Sequence, residues 1–183
     1  MNFQRLHFYS LRLVLLIIAT TTAFAQVVDL SGNPGEPLKS AKVVALIFVR
    51  TDCPISNRYA PEIKRLVTKY QSQEMKFFLV YAGKDQKTED IKKHVEEFGF
   101  ELAAIRDPNL LLVKKSGVTV TPEAVVWQQE KIVYRGRIDN RFVAFGKMRT
   151  APTSHDLEGV LETVSKGKTV TKKITKAIGC FIS

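Results

Sequence analysis

Two thiols are the residues with the most chemistry to offer. Cys53 lies in Phe48-Val49-Arg50-Thr51-Asp52-Cys53-Pro54-Ile55-Ser56, where an apolar strand ends and a helix begins. A helix N-terminus presents unpaired backbone N–H groups and the positive end of the macrodipole, and both stabilise a thiolate over a thiol. That placement predicts a sulfur nucleophile. The other cysteine, Cys180, lies in Ala177-Ile178-Gly179-Cys180-Phe181-Ile182, close to the C-terminus. Gly179 permits an unusual backbone angle and Ile178, Phe181 and Ile182 offer apolar anchors, so this end of the chain can dock. Three readings of Cys180 stand side by side: a resolving thiol for Cys53, a structural tether, or an unpaired thiol.

The elements around Cys53 follow from periodicity. Val43 to Val49 is a continuous apolar run, the pattern of a strand buried on both faces. Ile55, Tyr59, Ile63, Leu66, Val67 and Tyr70 recur at helical spacing, with a kink expected at Pro61. Lys76 to Ala82 reads as a second core strand, and Thr88 to Phe98 as a helix closed by Gly99. A short strand over Leu102 to Ile105 follows. Asp107 and Pro108 then suit the N-cap and first turn of a helix over Asn109 to Ser116. Ala124 to Gln128 and Lys131 to Arg137 should form an antiparallel hairpin. Asp139 to Thr153 reads as an irregular, solvated loop, and Ser154 to Lys166 as a last helix. The fold class is α/β: a central mixed β-sheet flanked by helices.

Composition adds the domain plan. Of 183 residues, the first 25 have the pattern of a secretory signal: Arg5 and Arg12, the apolar run Leu13 to Ala19, and Ala23-Phe24-Ala25 at a cleavage site. Export to a periplasmic or extracellular space follows, where disulfides persist. Residues 26–167 then form one domain, and 168–183 a basic tail that carries Cys180. The net charge is +10. Lys166, Lys168, Lys172, Lys173 and Lys176 fall in a stretch without carboxylates, which reads as a solvated strand of positive charge. Export and the lack of interleaved aromatics argue against nucleic acid, leaving an anionic membrane surface or an acidic partner for that charge.

The segment Phe48 to Ser56 resembles the strand-to-helix segment of the thioredoxin-like superfamily, in particular exported redoxins of the AhpC/TSA and TlpA/ResA types. Val120-Thr121-Pro122-Glu123 is similar to that superfamily's segment in which a cis-proline packs beside the reactive thiol, and Tyr134-Arg135-Gly136-Arg137 resembles the following strand. The resemblance spans about Val43 to Gly167. It implies a thioredoxin-like fold, thiol oxidoreductase or antioxidant chemistry at Cys53, and a cis Pro122 that lets the backbone of Thr121 pair with an extended substrate. Neither a cofactor nor a metal is implied for the redoxin itself.

The chain departs from that pattern in ways that bear on mechanism. Cys-Pro-Ile-Ser replaces C-x-x-C, so Ser56 denies Cys53 a neighbouring resolving thiol. Asp52 stands where an aromatic residue is common, and its charge opposes a thiolate unless Arg50 and Arg58 offset it. The peroxiredoxin frame P-x-x-x-T-x-x-C is also missing. Leu46 and Arg50 hold the corresponding positions, and Thr51 sits two residues before Cys53 instead of three. Thr51 and the guanidinium groups are the available replacements for orienting a peroxide. Glu123 is either a proton acceptor for Cys53, with a pKa raised by burial, or an ordinary strand-edge glutamate.

Two classes of function remain. One is a thiol enzyme in which Cys53 attacks a disulfide or hydroperoxide, with Cys180 or an external thiol reductant completing the cycle. The other is a non-catalytic binding or chaperone-like module on the same fold. A Sco-like copper site using both cysteines and His94 or His155 is a lesser alternative, because each histidine reads better as a structural residue.

Overall fold

The computed structural model describes residues 26–182, and the signal sequence expected over residues 1–25 lies outside them. The chain enters through a two-residue strand, β1 (Val28–Asp29), which periodicity did not reveal, and a 3-10 turn at Pro37–Lys39. β2 (Val43–Val49) follows with all seven residues buried. Two helices come next, α1 (Pro54–Arg58) and α2 (Ala60–Tyr70), where periodicity suggested a single kinked helix. The break falls at Tyr59 because Pro61 has no N–H to donate and so starts a new helix. β3 (Met75–Ala82), α3 (Thr88–Glu97) and β4 (Ala103–Asp107) complete the βαβ half.

The helix expected from Asn109 begins later, as α4 (Leu111–Ser116), with Leu110 in the left-handed region. Asp107 is the last residue of β4, and it caps α4 from there. Its Oδ1 accepts from the Leu111 N–H at 2.7 Å and its Oδ2 from the Val113 N–H at 3.0 Å. Asp107 is buried, so Asp107→Ala removes two charge-assisted bonds and leaves two donors unpaired. A loss of roughly 2–3 kcal/mol in urea denaturation is expected.

β5 (Val120–Thr121), β6 (Glu123–Gln128) and β7 (Lys131–Gly136) follow. β6 and β7 are joined by a two-residue turn, Gln129-Glu130, both at positive φ, which matches the twist of a hairpin. The region expected as an irregular loop instead holds a small hairpin, β8 (Phe142–Ala144) and β9 (Lys147–Met148). α5 (Asp156–Ser165) ends before Gly167. The tail then adds β10 (Lys173–Ile174) and β11 (Cys180–Phe181).

The main sheet has the order β1-β4-β3-β2-β6-β7-β10. β2 runs parallel to β3 and β3 to β4, whereas β6 lies antiparallel to both β2 and β7. Side chains from alternate positions of β2 feed two cores. Val43, Ala45, Ile47 and Val49 pack with Ile55, Ile63, Leu66 and Ile91 from α1, α2 and α3, and with Leu157 and Leu161 from α5. Val44, Leu46 and Phe48 pack with Leu112 and Val118 around α4. Helices on both faces of a mixed sheet are the architecture that the apolar patterning predicts.

The basic tail is not a free strand of charge. β10 runs parallel to β7, Lys173 Nζ contacts Asp156 Oδ1 at 2.9 Å, and Thr175 Oγ1 meets the Tyr134 hydroxyl at 2.8 Å. Gly136 makes this approach possible, since a Cβ there would lie 2.1 Å from Thr175 Oγ1. Asp156 fastens the tail to α5. Its burial opposes ionisation, but Arg137, Lys173 and Ser154 outweigh that and hold its pKa at about 2, below the usual 3.8. Glu158, bonded by Arg65 and Lys69, also lies at about 2 instead of 4.5. Depressed carboxylate pKa values stabilise the fold above the unfolded values, and that contribution vanishes as pH falls through the folded ones. The urea midpoint should therefore hold above about pH 4.5 and drop between there and pH 2, with a smaller drop in Asp156→Asn.

Candidate active site

β2 carries the chain to Arg50, and a turn bonded from Cys53 N–H to Arg50 C=O places Cys53 at the start of α1. The backbone of Cys53 is extended, and its sulfur accepts from the Ser56 N–H at 3.5 Å, so the cysteine is itself the N-cap. α1 is only five residues long, so its dipole contributes less than the long helix expected from the sequence.

Cys53 is completely buried, with a relative exposure of 0%. Its cover is the chain's own tail. β11 pairs antiparallel with β5, Cys180 opposite Thr121 and Phe181 opposite Val120. The Ile182 N–H continues the ladder to Thr119 C=O at 3.1 Å. The Thr121–Pro122 peptide bond is cis, and Thr121 O lies 3.1 Å from Cys53 Sγ. The tail therefore occupies the edge that an extended substrate would need. Gly179 allows the close fit, because a Cβ there would meet Thr121 O at 2.0 Å.

Pairing opposite Thr121 brings the Cys180 thiol into hydrogen-bonding contact with Cys53, and both sulfurs are free thiols in this structure. Burial pushes the Cys53 thiol up, but hydrogen bonds from Cys180 and Ser56 reverse this and leave its pKa below the ordinary value. The Ser56 hydroxyl is buried with no hydrogen-bond partner, so it is free to turn toward the Cys53 sulfur. Cys180 moves the other way. Burial, the bond it donates to Cys53 and the charge of Cys53 push it up to about 12.

The side chains around the thiols take more specific roles than the sequence indicated. Arg50 is buried and forks between Asp52, at 3.0 and 3.1 Å, and Asp85. It thus offsets the charge of Asp52, while Arg58 turns to Met148 Sδ at 3.7 Å. Thr51 donates its backbone N–H to Gln86 Oε1 at 3.0 Å, and its hydroxyl makes no hydrogen bond to Cys53. Glu123 is buried with a pKa raised by that burial. Its carboxylate accepts from the Thr119 N–H at 3.0 Å, with Arg135 Nε 3.7 Å off. It is not a surface glutamate, because β6 is an interior strand and the tail roofs its end.

His94 is also committed. Its Nδ1 meets the Tyr81 hydroxyl at 2.8 Å and its Nε2 meets Asn57 Oδ1 at 2.9 Å, leaving no nitrogen for a metal held by the cysteines. Burial keeps its pKa low. His155 lies with Glu62 and Glu158, whose ligand atoms fall within 4.8 Å of one another, but Arg65 bonds both carboxylates. Asp139 and Asn140, expected in a solvated loop, are buried instead. Tyr59 donates to Asp139 Oδ1 at 2.5 Å, and Asn140 Oδ1 accepts from Thr153 and Ser154. This knot holds the long connection against α1.

Beside the thiols, the tail roofs a groove of about 830 Å³ lined by Glu123, Arg135, Phe145, Lys176, Cys180 and Phe181 among others. Periodicity had no means of finding it, since most of its wall is the tail.

A βαβ half, an antiparallel hairpin, a cysteine capping the helix after the central strand and a cis-proline facing that cysteine together define a thioredoxin fold. Residues 40–133 match the family model described as thioredoxin-like, and the chain belongs to that family. Solved structures agree on the fold. An uncharacterized conserved protein from Geobacillus kaustophilus is 22% identical, with a TM-score of 0.72 over 86% of this chain and 87% of that one. A hypothetical protein from Sinorhizobium meliloti is 21% identical, with a TM-score of 0.71 over 85% of this chain and 88% of that one. A secreted disulfide oxidoreductase from Mycobacterium tuberculosis, homologous to DsbE of E. coli, is 15% identical, with a TM-score of 0.53 over 77% and 93%. No curated protein sequence matches the chain.

Proposed function

We propose that this protein is an exported redoxin, a thiol-disulfide oxidoreductase in which Cys53 is the nucleophile and Cys180 resolves. The observation that carries the reading is the contact between the two thiols, made by the pairing of β11 with β5. Cys180 takes the part that C-x-x-C proteins give to their second cysteine.

The Cys53 thiolate attacks one sulfur of a substrate disulfide; a mixed disulfide forms and the first substrate thiolate leaves, to be protonated by solvent. Once Cys53 is bonded its charge is gone, which removes part of what held the Cys180 proton. Cys180 then loses that proton and attacks Cys53 Sγ, forming the Cys53–Cys180 disulfide and releasing the second substrate thiolate. The substrate disulfide has gained two electrons and the protein has lost two. An external thiol reductant regenerates the pair. Because β11 covers Thr121, it must lift from β5 before a peptide substrate can pair there.

Disulfides fit better than hydroperoxides as substrates. Arg50 is held by two carboxylates and the Thr51 hydroxyl makes no bond to Cys53, so neither stands ready to orient a peroxide. The exposed Lys166, Lys168, Lys172 and Lys176 suit contact with an anionic membrane surface or an acidic partner. The test is alkylation mass spectrometry before and after one equivalent of a peptide disulfide or of hydrogen peroxide. A Cys53–Cys180 disulfide after the peptide disulfide is expected, with peroxide slower. Failure of both oxidants to change either thiol would leave the non-catalytic reading in its place.

A further inference from the structure

In the reduced pair one cysteine is sealed and the other is not. Cys53 has 0% relative exposure, whereas Cys180 is half-buried and forms part of the wall of the 830 Å³ groove, which Cys53 does not line. That groove has the volume of a site for a small peptide. Its wall mixes the exposed rings of Phe145 and Phe181 with the charges of Lys176, Arg135 and Glu123. The tail that brings Cys180 to Cys53 also turns its outer side toward the groove. Oxidation replaces a hydrogen-bonded contact between the sulfurs by a bond, which keeps the tail in place and Cys53 covered.

Resting on the redoxin reading, we infer that the groove admits the regenerating peptide thiol and that this thiol attacks Cys180, not Cys53, with Cys53 as the leaving group. This reverses the direction of the first half of the cycle, in which the substrate is attacked by Cys53. The incoming thiolate forms a bond to Cys180 Sγ and the Cys53–Cys180 bond breaks, its electron pair leaving on Cys53. A second thiol attacks the reductant's own sulfur in that mixed disulfide. Cys180 leaves as a thiolate and takes a proton. Two thiols have become one disulfide, and the protein has regained both electrons. The Ser56 N–H, 3.5 Å from Cys53 Sγ at the helix start, remains in place to stabilise Cys53 as the leaving thiolate.

The test uses the purified protein oxidised with diamide, with glutathione as the probe. Limiting glutathione is added for increasing times, the mixture is quenched with acid and N-ethylmaleimide, and the peptides carrying glutathione are mapped. Glutathione is expected on the Cys180 peptide in at least about tenfold excess over the Cys53 peptide at the earliest times, with maleimide on Cys53. Glutathione found first on Cys53 would overturn this inference while leaving the redoxin reading intact. If diamide yields no Cys53–Cys180 disulfide, that reading and this inference fall together.

Discussion

Cys180→Ser is expected to halt turnover after the first bond is made. Serine is nearly isosteric with cysteine, so β11 should still pair with β5 and stability should change by less than about 1 kcal/mol. Its hydroxyl can still donate toward Cys53, which preserves the contact that lowers the Cys53 pKa. What is lost is the second sulfur. The mixed disulfide between Cys53 and a peptide substrate then waits for an external thiol, where the wild-type chain holds its own thiol in contact. An intramolecular partner of this kind corresponds to an effective concentration of millimolar or above, so steady-state turnover should fall by roughly 10²-fold or more at micromolar reductant. Denaturing gel shift or intact mass should show a stoichiometric substrate adduct on Cys53. An unaltered rate would mean that Cys180 is a tether or a bystander. Cys53→Ser, by contrast, should form no adduct at all.

Gly179→Val should separate the position of the tail from the chemistry of its thiol. A Cβ at residue 179 would lie 2.0 Å from the backbone oxygen of Thr121, well inside any tolerated contact, and that oxygen belongs to the sheet edge and cannot yield. The tail must give way instead. Both cysteines remain, but β11 no longer holds Cys180 against Cys53, so disulfide formation under limiting oxidant should slow by roughly tenfold or more. Cys53 loses its cover, and its alkylation by iodoacetamide should speed up by a similar factor. Gly159 serves as control. It lies inside α5, where an added Cβ would meet nothing within 4 Å, so Gly159→Ala should leave both rates unchanged and raise stability by up to about 1 kcal/mol. A Gly179→Val protein that oxidises as fast as the wild type would show that docking of β11 does not deliver the thiol.

Local sequence carried most of the scaffold. The uninterrupted apolar run of β2 could only be a strand covered on both faces, and the helical spacing of Ile63, Leu66, Val67 and Tyr70 could only present one apolar side. Where expectation and structure part, a longer-range contact decides. α4 starts late because Asp107 reaches it from the end of β4, and the segment after Asp139 is ordered because Tyr59 and Thr153 bind Asp139 and Asn140. Polar residues in a loop look alike in sequence whether water or protein satisfies them.

The sequence by itself determined that Cys53 caps a helix at the end of the central strand, that Ser56 withholds the usual second thiol, and that Cys180 is the remaining cysteine. Each is a matter of residue identity and of neighbours a few positions away. Only the tertiary structure decided that the two cysteines meet, that Cys53 is buried, that Arg50 answers Asp52, and that Glu123 binds Thr119 beside Arg135. Cys180 and Cys53 are far apart along the chain, and no periodicity spans that distance. What joins them is a backbone ladder between β11 and β5, made possible by a glycine that lets one strand come within contact of another.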